Sequence, residues 1–264
     1  MQKGMLQTVY SWMREKPDKH VIFVSGVHRS GTNMIMETLE WHPLTDVYRE
    51  SDPRAFKHFI MLPEPVVAEL IERSPADRVV IKALHEAERL AGLLDRHAPA
   101  QAIWMYRDWR DVVNSILARW PNHRNGIDEI VQGVDTVKWR GRGVTDATRA
   151  KLKRVYRSDI DDASANVLFW YLRNQLFFDQ GFDADDRVAL VSYDRLLERP
   201  EPQLRALCTM LEIEPVPRMT MVCDVRQVRK KPPPSVEPEI AALADEMLER
   251  LGNVWLTSPF GRAG

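Results

Sequence analysis

The sequence predicts an α/β fold in which a central, mostly parallel sheet is flanked by helices. Short apolar runs rich in β-branched residues recur along the chain, and a helical pattern follows each of them. These runs span residues 21–25, 79–84, 102–106 and 188–193. Apolar strands that alternate with amphipathic helices are typical of a parallel sheet wrapped by helices. A glycine-bearing turn directly after the first run places a loop at the edge of this sheet.

The helical patterns complete the predicted order of elements. Four of them follow the apolar runs, at residues 32–41, 86–96, 108–120 and 196–211, and two more span residues 163–179 and 237–251. A chain of 264 residues is long enough for one large α/β domain. We therefore expect a single domain, with residues 1–20 as an N-terminal extension and the polar segment 121–160 as a variable excursion.

Composition and charge exclude several classes of protein. The formal net charge of −1 gives no basic field for nucleic acid. No run approaches the ~20 apolar residues that a membrane span needs, and no signal peptide is apparent, so a cytoplasmic protein is expected. The cysteines, Cys208 and Cys223, are too few for a disulfide framework and lack metal-site spacing. We expect reduced thiols and no metal. The sequence does not predict an oligomeric state.

The segment 25–33, Ser-Gly-Val-His-Arg-Ser-Gly-Thr-Asn, carries the strongest functional signal. A glycine-bearing turn that opens a helix directs backbone N–H groups and the helix dipole at an anion. Its glycines have the spacing of a nucleoside-triphosphate P-loop, which would continue with Lys and Ser/Thr. Here Thr32 and Asn33 follow the second glycine, and Arg29 supplies the positive charge instead. An anion site other than a triphosphate site is therefore favoured, and a loop that binds nothing is the alternative.

Arg-Ser-Gly-Thr in this setting resembles the 5′-phosphosulfate loop of sulfotransferases that use 3′-phosphoadenosine 5′-phosphosulfate (PAPS). Residues 22–34 are most similar to the tyrosylprotein sulfotransferases. The resemblance implies a sulfotransferase fold with a P-loop-like phosphosulfate loop, in which Arg29 contacts the bridging oxygen and the sulfuryl group. The residues that would hold the 5′-phosphate are Ser30, Gly31, Thr32 and Asn33. Asn33 departs from the family, which commonly has a second Thr or Ser at this position.

A second stretch fits the same family. Sulfotransferases bind the 3′-phosphate with an Arg at a strand end and a Ser eight positions later, and Arg107 and Ser115 have this spacing. Guanidinium groups form bidentate hydrogen bonds with phosphate, which suits Arg107 to the role. The alternative for Arg107 is a surface ion pair with Asp111.

Further residues resemble family positions around the nucleotide. Lys82 corresponds to a strand-terminal lysine beside the phosphosulfate, and Tyr193 lies in a segment similar to one of the family. Lys230 and Lys231 resemble a late basic segment that closes over the nucleotide. Exposed lysines before prolines are also common without such a role.

Two residues compete for the role of general base, which would take the proton of the acceptor hydroxyl. Glu50 lies 21 positions after Arg29, the distance at which the tyrosylprotein enzymes have their basic Glu. Its alternative is an ion pair with Arg49 or Arg54. His85 is the rival, because cytosolic sulfotransferases have Lys-x-His at the equivalent strand end. Here one more residue separates Lys82 from His85, and a structural imidazole is the alternative.

The resemblance implies a sulfotransferase that moves the sulfuryl group of PAPS to an acceptor hydroxyl by in-line transfer. We expect a carbohydrate, lipid or small-metabolite acceptor, with PAPS as co-substrate and no metal. The variable excursion 121–160 is expected to lie near the acceptor side. One alternative is a P-loop nucleotide kinase or NTPase, in which Asp194 would hold magnesium. The other is a non-catalytic module that only binds a nucleotide.

Overall fold

A parallel sheet forms the centre of the computed structural model, which describes residues 19–134, 139–223 and 231–262. Its strands are β1 (His20–Gly26), β2 (Thr45–Tyr48), β5 (Arg78–Lys82), β6 (Ala100–Tyr106) and β7 (Val188–Ser192). Their order in the sheet is β2-β5-β1-β6-β7, and all neighbours are parallel. A separate antiparallel hairpin consists of β3 (Phe56–Lys57) and β4 (Ile60–Met61). The prediction of a single α/β domain with a mostly parallel sheet is confirmed.

Four of the five sheet strands coincide with the predicted apolar runs, and β2 does not. The segment Thr45–Tyr48 is short and lies at the edge of the sheet, where its two central residues are only half-buried. A run of four residues with this composition is too short to be recognised by its hydrophobic periodicity.

Helices cover both faces of the sheet. Those between residues 32 and 155 are α1 (Thr32–Glu40), α2 (Glu64–Arg73), α3 (Leu90–Arg96), α4 (Trp109–Arg119), α5 (Ile127–Gln132) and α6 (Asp146–Val155). The later ones are α7 (Asp162–Asp179), α8 (Tyr193–Glu198), α9 (Pro200–Met210), α10 (Pro217–Thr220), α11 (Pro238–Thr257) and α12 (Pro259–Arg262). Short 3₁₀ turns lie at Ala87–Arg89 and Phe182–Ala184.

One predicted helix is two helices. The pattern at residues 196–211 was expected to be continuous, but α8 ends at Glu198 and α9 begins at Pro200. Proline lacks the N–H that a continuous helix requires and restricts the residue before it, so Arg199 adopts φ −139° and ψ 67°. The expectation of a single helix here is therefore wrong.

The core lies on both sides of β1, whose residues are all buried. Helix α7 is buried around most of its circumference and packs against β1, α4 and α11. A helix that is apolar on nearly all sides is typical of the interior of a protein. Across the described residues, no helix combines the length and hydrophobicity that a membrane crossing requires.

The carboxyl end of β1 allows a stability prediction. Gly26 has φ +129°, and a Cβ atom there would lie 2.2 Å from the carbonyl oxygen of Met105 on β6. Gly26→Ala should therefore lower the free energy of unfolding by about 2 kcal/mol or more, because the backbone at residue 26 and the neighbouring strand β6 would both have to shift. Chemical denaturation measures this change.

Gly92→Ala is the matched control. Gly92 is exposed in α3 and has no atom within 4 Å of a built Cβ, so alanine should leave stability unchanged or raise it by up to about 1 kcal/mol. Equal unfolding midpoints for Gly26→Ala and the wild type would show that the close approach to Met105 is not a constraint.

Candidate active site

The loop between β1 and α1 is a tight turn at the carboxyl edge of the sheet. Arg29 has φ 67° and Gly31 has φ 93°, so both lie in the left-handed region. At Gly31, a Cβ atom would lie 2.2 Å from the ring of Tyr193, which closes against the loop. Helix α1 begins at Thr32 without a side-chain cap, which leaves its first N–H groups directed out of the helix. The structure therefore places the predicted anion loop at a helix N-terminus.

Ser30 has the surroundings expected of an anion ligand. Its side chain is completely buried, and its Oγ has no hydrogen-bond partner among the described residues. A buried hydroxyl without a partner is costly, and an incoming phosphate oxygen would satisfy it.

The two predicted anion motifs meet. Arg29 Nε donates a hydrogen bond of 2.8 Å to Ser115 Oγ, although the two residues are far apart in sequence. One cavity of about 340 Å³ is lined by Arg29, Arg107, Asp111, Asn114, Ser115, Ala118, Arg119 and Lys231. A second, of about 210 Å³, is lined by Arg29, Gly31, Thr32, Asn33, Met34, Arg107, Ser115 and Tyr193. The cavities share Arg29, Arg107 and Ser115, so they adjoin each other and form one site.

Arg107 is held by two carboxylates and a ring. Its Nη2 lies 3.2 Å from Asp111, its Nε lies 3.8 Å from Asp194, and its guanidinium stacks over Tyr193 at 4.4 Å. The alternative assigned to Arg107, a pair with Asp111, is thus present in the structure. Arg107 also lines both cavities, so the ion pair orients the guanidinium toward the space where an anion would bind.

Lys82 connects the loop to Glu50. Its buried Nζ donates to Asn33 Oδ1 at 2.7 Å and lies 2.5 Å from Glu50 Oε2. Burial lowers the pKa of Lys82, and the Glu50 carboxylate opposes this shift. About a quarter of the Glu50 side chain is exposed, at 24 %, whereas its Oε2 atom is buried. Asn33, the departure from the family pattern, therefore supplies an acceptor that holds this lysine.

The alternative for Glu50 was an ion pair with a neighbouring arginine. Arg49 pairs with Glu40 at 2.6 Å, and Arg54 pairs with Asp52 at 2.7 Å. Because both arginines have other carboxylate partners, the ion pair between Glu50 and Lys82 is the one that positions the carboxylate at the loop.

His85 forms a hydrogen-bonded pair with His28. The Nδ1 of His85 lies 2.8 Å from the carbonyl oxygen of Phe59, which can only accept, so this nitrogen carries the proton. The Nε2 of a neutral His85 is then an acceptor, and His28 Nε2, at 3.2 Å, must donate to it. Burial lowers the pKa of His85 to about 4 and that of His28 well below its usual range. The lone pair that a base would use is occupied, so the geometry favours Glu50 over His85.

Trp139 covers both imidazoles. Its ring stacks on His85 at 4.1 Å between centroids and lies 4.9 Å from His28. It belongs to the segment 121–160, which was expected to vary and to lie near the acceptor. That placement near an acceptor stays a prediction.

Sequence reasoning missed several residues of the site. Arg119 lines the cavity because it lies four positions after Ser115 on α4, a spacing that puts both on one helix face. Asn114 donates to the carbonyl oxygen of Pro232 at 2.9 Å and fixes the segment that carries Lys231. The helical spacing could have identified Arg119. No local signal points to the contact of Asn114, because it depends on a distant part of the chain.

The remaining predicted residues are placed as follows. Lys231 lines the larger cavity, whereas Lys230 lies outside the described residues, as do residues 1–18 of the predicted N-terminal extension. Within the described residues, no group of His, Cys, Asp or Glu side chains has the arrangement of a metal site.

Comparison with known proteins identifies the fold. Neither a protein-family model nor a curated protein sequence matches the chain. Among solved structures, the sulfotransferase domain from the curacin biosynthetic pathway aligns with a TM-score of 0.52 at 14% identity, covering 88% of this chain and 99% of that one. A sulfotransferase from Alicyclobacillus acidocaldarius aligns with a TM-score of 0.51 at 14% identity, covering 91% of this chain and 96% of that one.

The chain therefore has the sulfotransferase fold, and the resemblance stated from the sequence is confirmed at that level. Similarity at 14% identity establishes the fold alone. The chemistry of the site has to be argued from its side chains.

The neutral histidines predict how stability depends on pH. Unfolded His85 takes up a proton near pH 6.5, whereas the folded imidazole does so only near its pKa of about 4. Stability from this group is therefore present above pH 6.5 and is lost as the pH falls. Between pH 7 and pH 5 the loss should be about 2 kcal/mol. Urea unfolding of the wild type and of His85→Gln at both pH values measures it.

The comparison between variants cancels other titrations. Buried Glu86, whose pKa burial raises to about 7, has the opposite effect, because its folded form gains a proton first as the pH falls. The exposed His58, substituted as His58→Gln, is the control and should lose as much stability as the wild type. An equally large loss in His85→Gln would contradict a neutral, buried His85.

Proposed function

We propose that the protein transfers the sulfuryl group of PAPS to an acceptor hydroxyl. The observation that supports this proposal most directly is the joined cavity, in which the loop at α1 and the pair Arg107–Ser115 line adjoining parts of one space and meet through the hydrogen bond from Arg29 to Ser115. A nucleotide with phosphates on both the 5′ and the 3′ oxygens of its ribose needs two anion sites on one cavity. The sulfotransferase fold is consistent with this ligand.

A nucleoside triphosphate fits the site less well. The loop lacks the lysine that contacts the β- and γ-phosphates in P-loop enzymes. Asp194, the candidate for a magnesium ligand, accepts from the backbone N–H of Asp108 and lies beside Arg107. This carboxylate therefore orients Arg107, at the proposed 3′-phosphate site, and does not face the loop at α1.

The proposed reaction follows from three side chains. The Glu50 carboxylate takes the proton of the acceptor hydroxyl while the acceptor oxygen forms its bond to sulfur. The bond from sulfur to the phosphate oxygen breaks, and adenosine 3′,5′-bisphosphate leaves with the electron pair. Arg29 and Lys82 stabilise the negative charge that develops on that oxygen. We propose a carbohydrate, a lipid or a small metabolite as the acceptor.

The nucleotide can be tested directly. Adenosine 3′,5′-bisphosphate at about 100 times its dissociation constant should add ~2.7 kcal/mol of stability and raise the thermal midpoint by several degrees. Arg107→Ala should abolish this shift, because it removes the guanidinium at the 3′-phosphate end. ADP and ATP–Mg²⁺ should shift the wild type much less. Differential scanning fluorimetry measures all three ligands.

Arg154→Ala removes an exposed arginine on α6 and serves as the matched control, which should keep the full shift. If ATP–Mg²⁺ stabilises the wild type as strongly as the bisphosphate does, the protein is a triphosphate-binding enzyme and the proposal is wrong.

The base can be tested by one substitution. Glu50→Gln keeps the size of the side chain but cannot take a proton, so the rate of sulfuryl transfer should fall about 100-fold or more. Binding of adenosine 3′,5′-bisphosphate should change little. Release of the bisphosphate from PAPS, followed with a panel of hydroxyl acceptors, measures the rate.

Glu40→Gln is the control, since Glu40 pairs with Arg49 on the surface of α1. A near-normal rate in Glu50→Gln would remove Glu50 from the mechanism. Wild-type protein that binds the nucleotide but transfers to no acceptor would support the non-catalytic module.

A further inference from the structure

The phosphate loop holds a residue in a conformation that its own backbone disfavours. Arg29 has φ 67°, a left-handed geometry that costs conformational free energy for any residue with a side chain. Such a conformation persists only where neighbouring contacts fix it. Two side-chain hydrogen bonds fix the loop here: Arg29 donates to Ser115, and the adjacent His28 donates to His85.

These two contacts differ in what a bound nucleotide would do to them. Arg29 and Ser115 both line the cavity, and the proposed function assigns them to the sulfuryl group and the 3′-phosphate. Their mutual hydrogen bond is therefore the one that a nucleotide competes with. His28 and His85 lie outside both cavity linings, so their hydrogen bond can persist when the cavity fills.

The partner of His28 is itself fixed from several sides. His85 donates to the carbonyl oxygen of Phe59, and Trp139 stacks on its ring at 4.1 Å. The preceding residue, Leu84, accepts a hydrogen bond of 2.9 Å from the fully buried Arg173 of α7. A loop residue tied to such a rigid acceptor has little freedom to move.

We propose that His28 is a positioning residue for the nucleotide, whose hydrogen bond to His85 holds the phosphate loop in the conformation that receives the 5′-phosphate. This inference rests on the proposed function, because it assumes that the loop binds the 5′-phosphate of an adenosine nucleotide. A preformed loop binds more tightly because it has less ordering to undergo on binding.

Two ligands isolate the contribution of the loop. Adenosine 3′,5′-bisphosphate carries the 5′-phosphate that the loop would hold, whereas adenosine 3′-monophosphate lacks it and keeps the 3′-phosphate assigned to Arg107 and Ser115. The ratio of their dissociation constants, measured by calorimetry on the whole chain, therefore reports the 5′-phosphate contact. In His28→Phe the ring remains for Trp139 but the donor is lost, and the ratio should fall about fivefold. Affinity for the monophosphate should stay within about twofold of wild type.

A conservative variant provides the rescue. The Nε2 of glutamine can donate as the Nε2 of histidine does, so His28→Gln should keep the ratio within about twofold of wild type. His58→Gln, which alters an exposed imidazole near Phe59, is the control for loss of a histidine and should behave as wild type. Equal losses in His28→Phe and His28→Gln would mean that the imidazole acts by its shape and not by its hydrogen bond.

The tautomers can be read in the wild-type protein, which makes the test independent of how the variants fold. Imidazole ¹⁵N shifts should show His85 protonated at Nδ1 and His28 protonated at Nε2. A proton on Nε2 of His85, or on Nδ1 of His28 alone, would overturn the inference.

The two proposals fail in different ways. If the wild type binds both nucleotides equally well, the loop is not a 5′-phosphate site and the proposed function fails. If the wild type prefers the bisphosphate and His28→Phe keeps that preference in full, only the role of His28 fails.

Discussion

The parallel pairing of β1 with β5 on one side and with β6 on the other brings the site together. Val24 lies opposite Lys82, and Gly26 lies opposite Met105, so the carboxyl ends of three strands meet at one edge. Each of these ends continues into a group that the proposed reaction uses: the loop after β1, Lys82 at the end of β5, and Arg107 after β6. In open α/β sheets, binding sites lie in the crevice outside the carboxyl ends of the strands, where the loops that follow the strands meet.

A cavity that binds two anions needs cations, and the cations have to be held before the anions arrive. Buried Lys82 is compensated by Glu50 and by the amide of Asn33, and Arg107 is compensated by Asp111. Removing charge from water is costly unless a partner is present, which explains why Lys82 and Arg107 each have a carboxylate beside them. The ion pair between Arg107 and Asp111 is therefore compatible with the proposed role of Arg107 in binding phosphate, because the carboxylate holds the guanidinium in place.

The fold and the loop were predictable because they depend on local patterns. The runs that became β1, β5, β6 and β7 are continuous and apolar, and the turn at Gly26 follows the first of them directly. Strand β2 and the contact between His28 and His85 were not predictable, because each depends on partners distant in sequence. Pro200 was visible in the sequence, but the apolar spacing on either side of it suggested a single helix. Glu50 was found by its distance from Arg29, yet its pairing with Lys82 required the sheet.

The site contains charged side chains, among them Lys82 and Glu50, and beside them the neutral imidazoles of His28 and His85. Burial is the main reason why the pKa of His85 is lowered; Glu50 opposes this shift, and Arg173 and Lys82 add to it. A neutral His85 can accept from His28, whereas a protonated one would present a second donor to it. Burial thus keeps both imidazoles neutral and their hydrogen bond intact, and we infer that this bond keeps the loop in place. In the proposed reaction, proton transfer is left to Glu50, the carboxylate that pairs with Lys82 beside the loop.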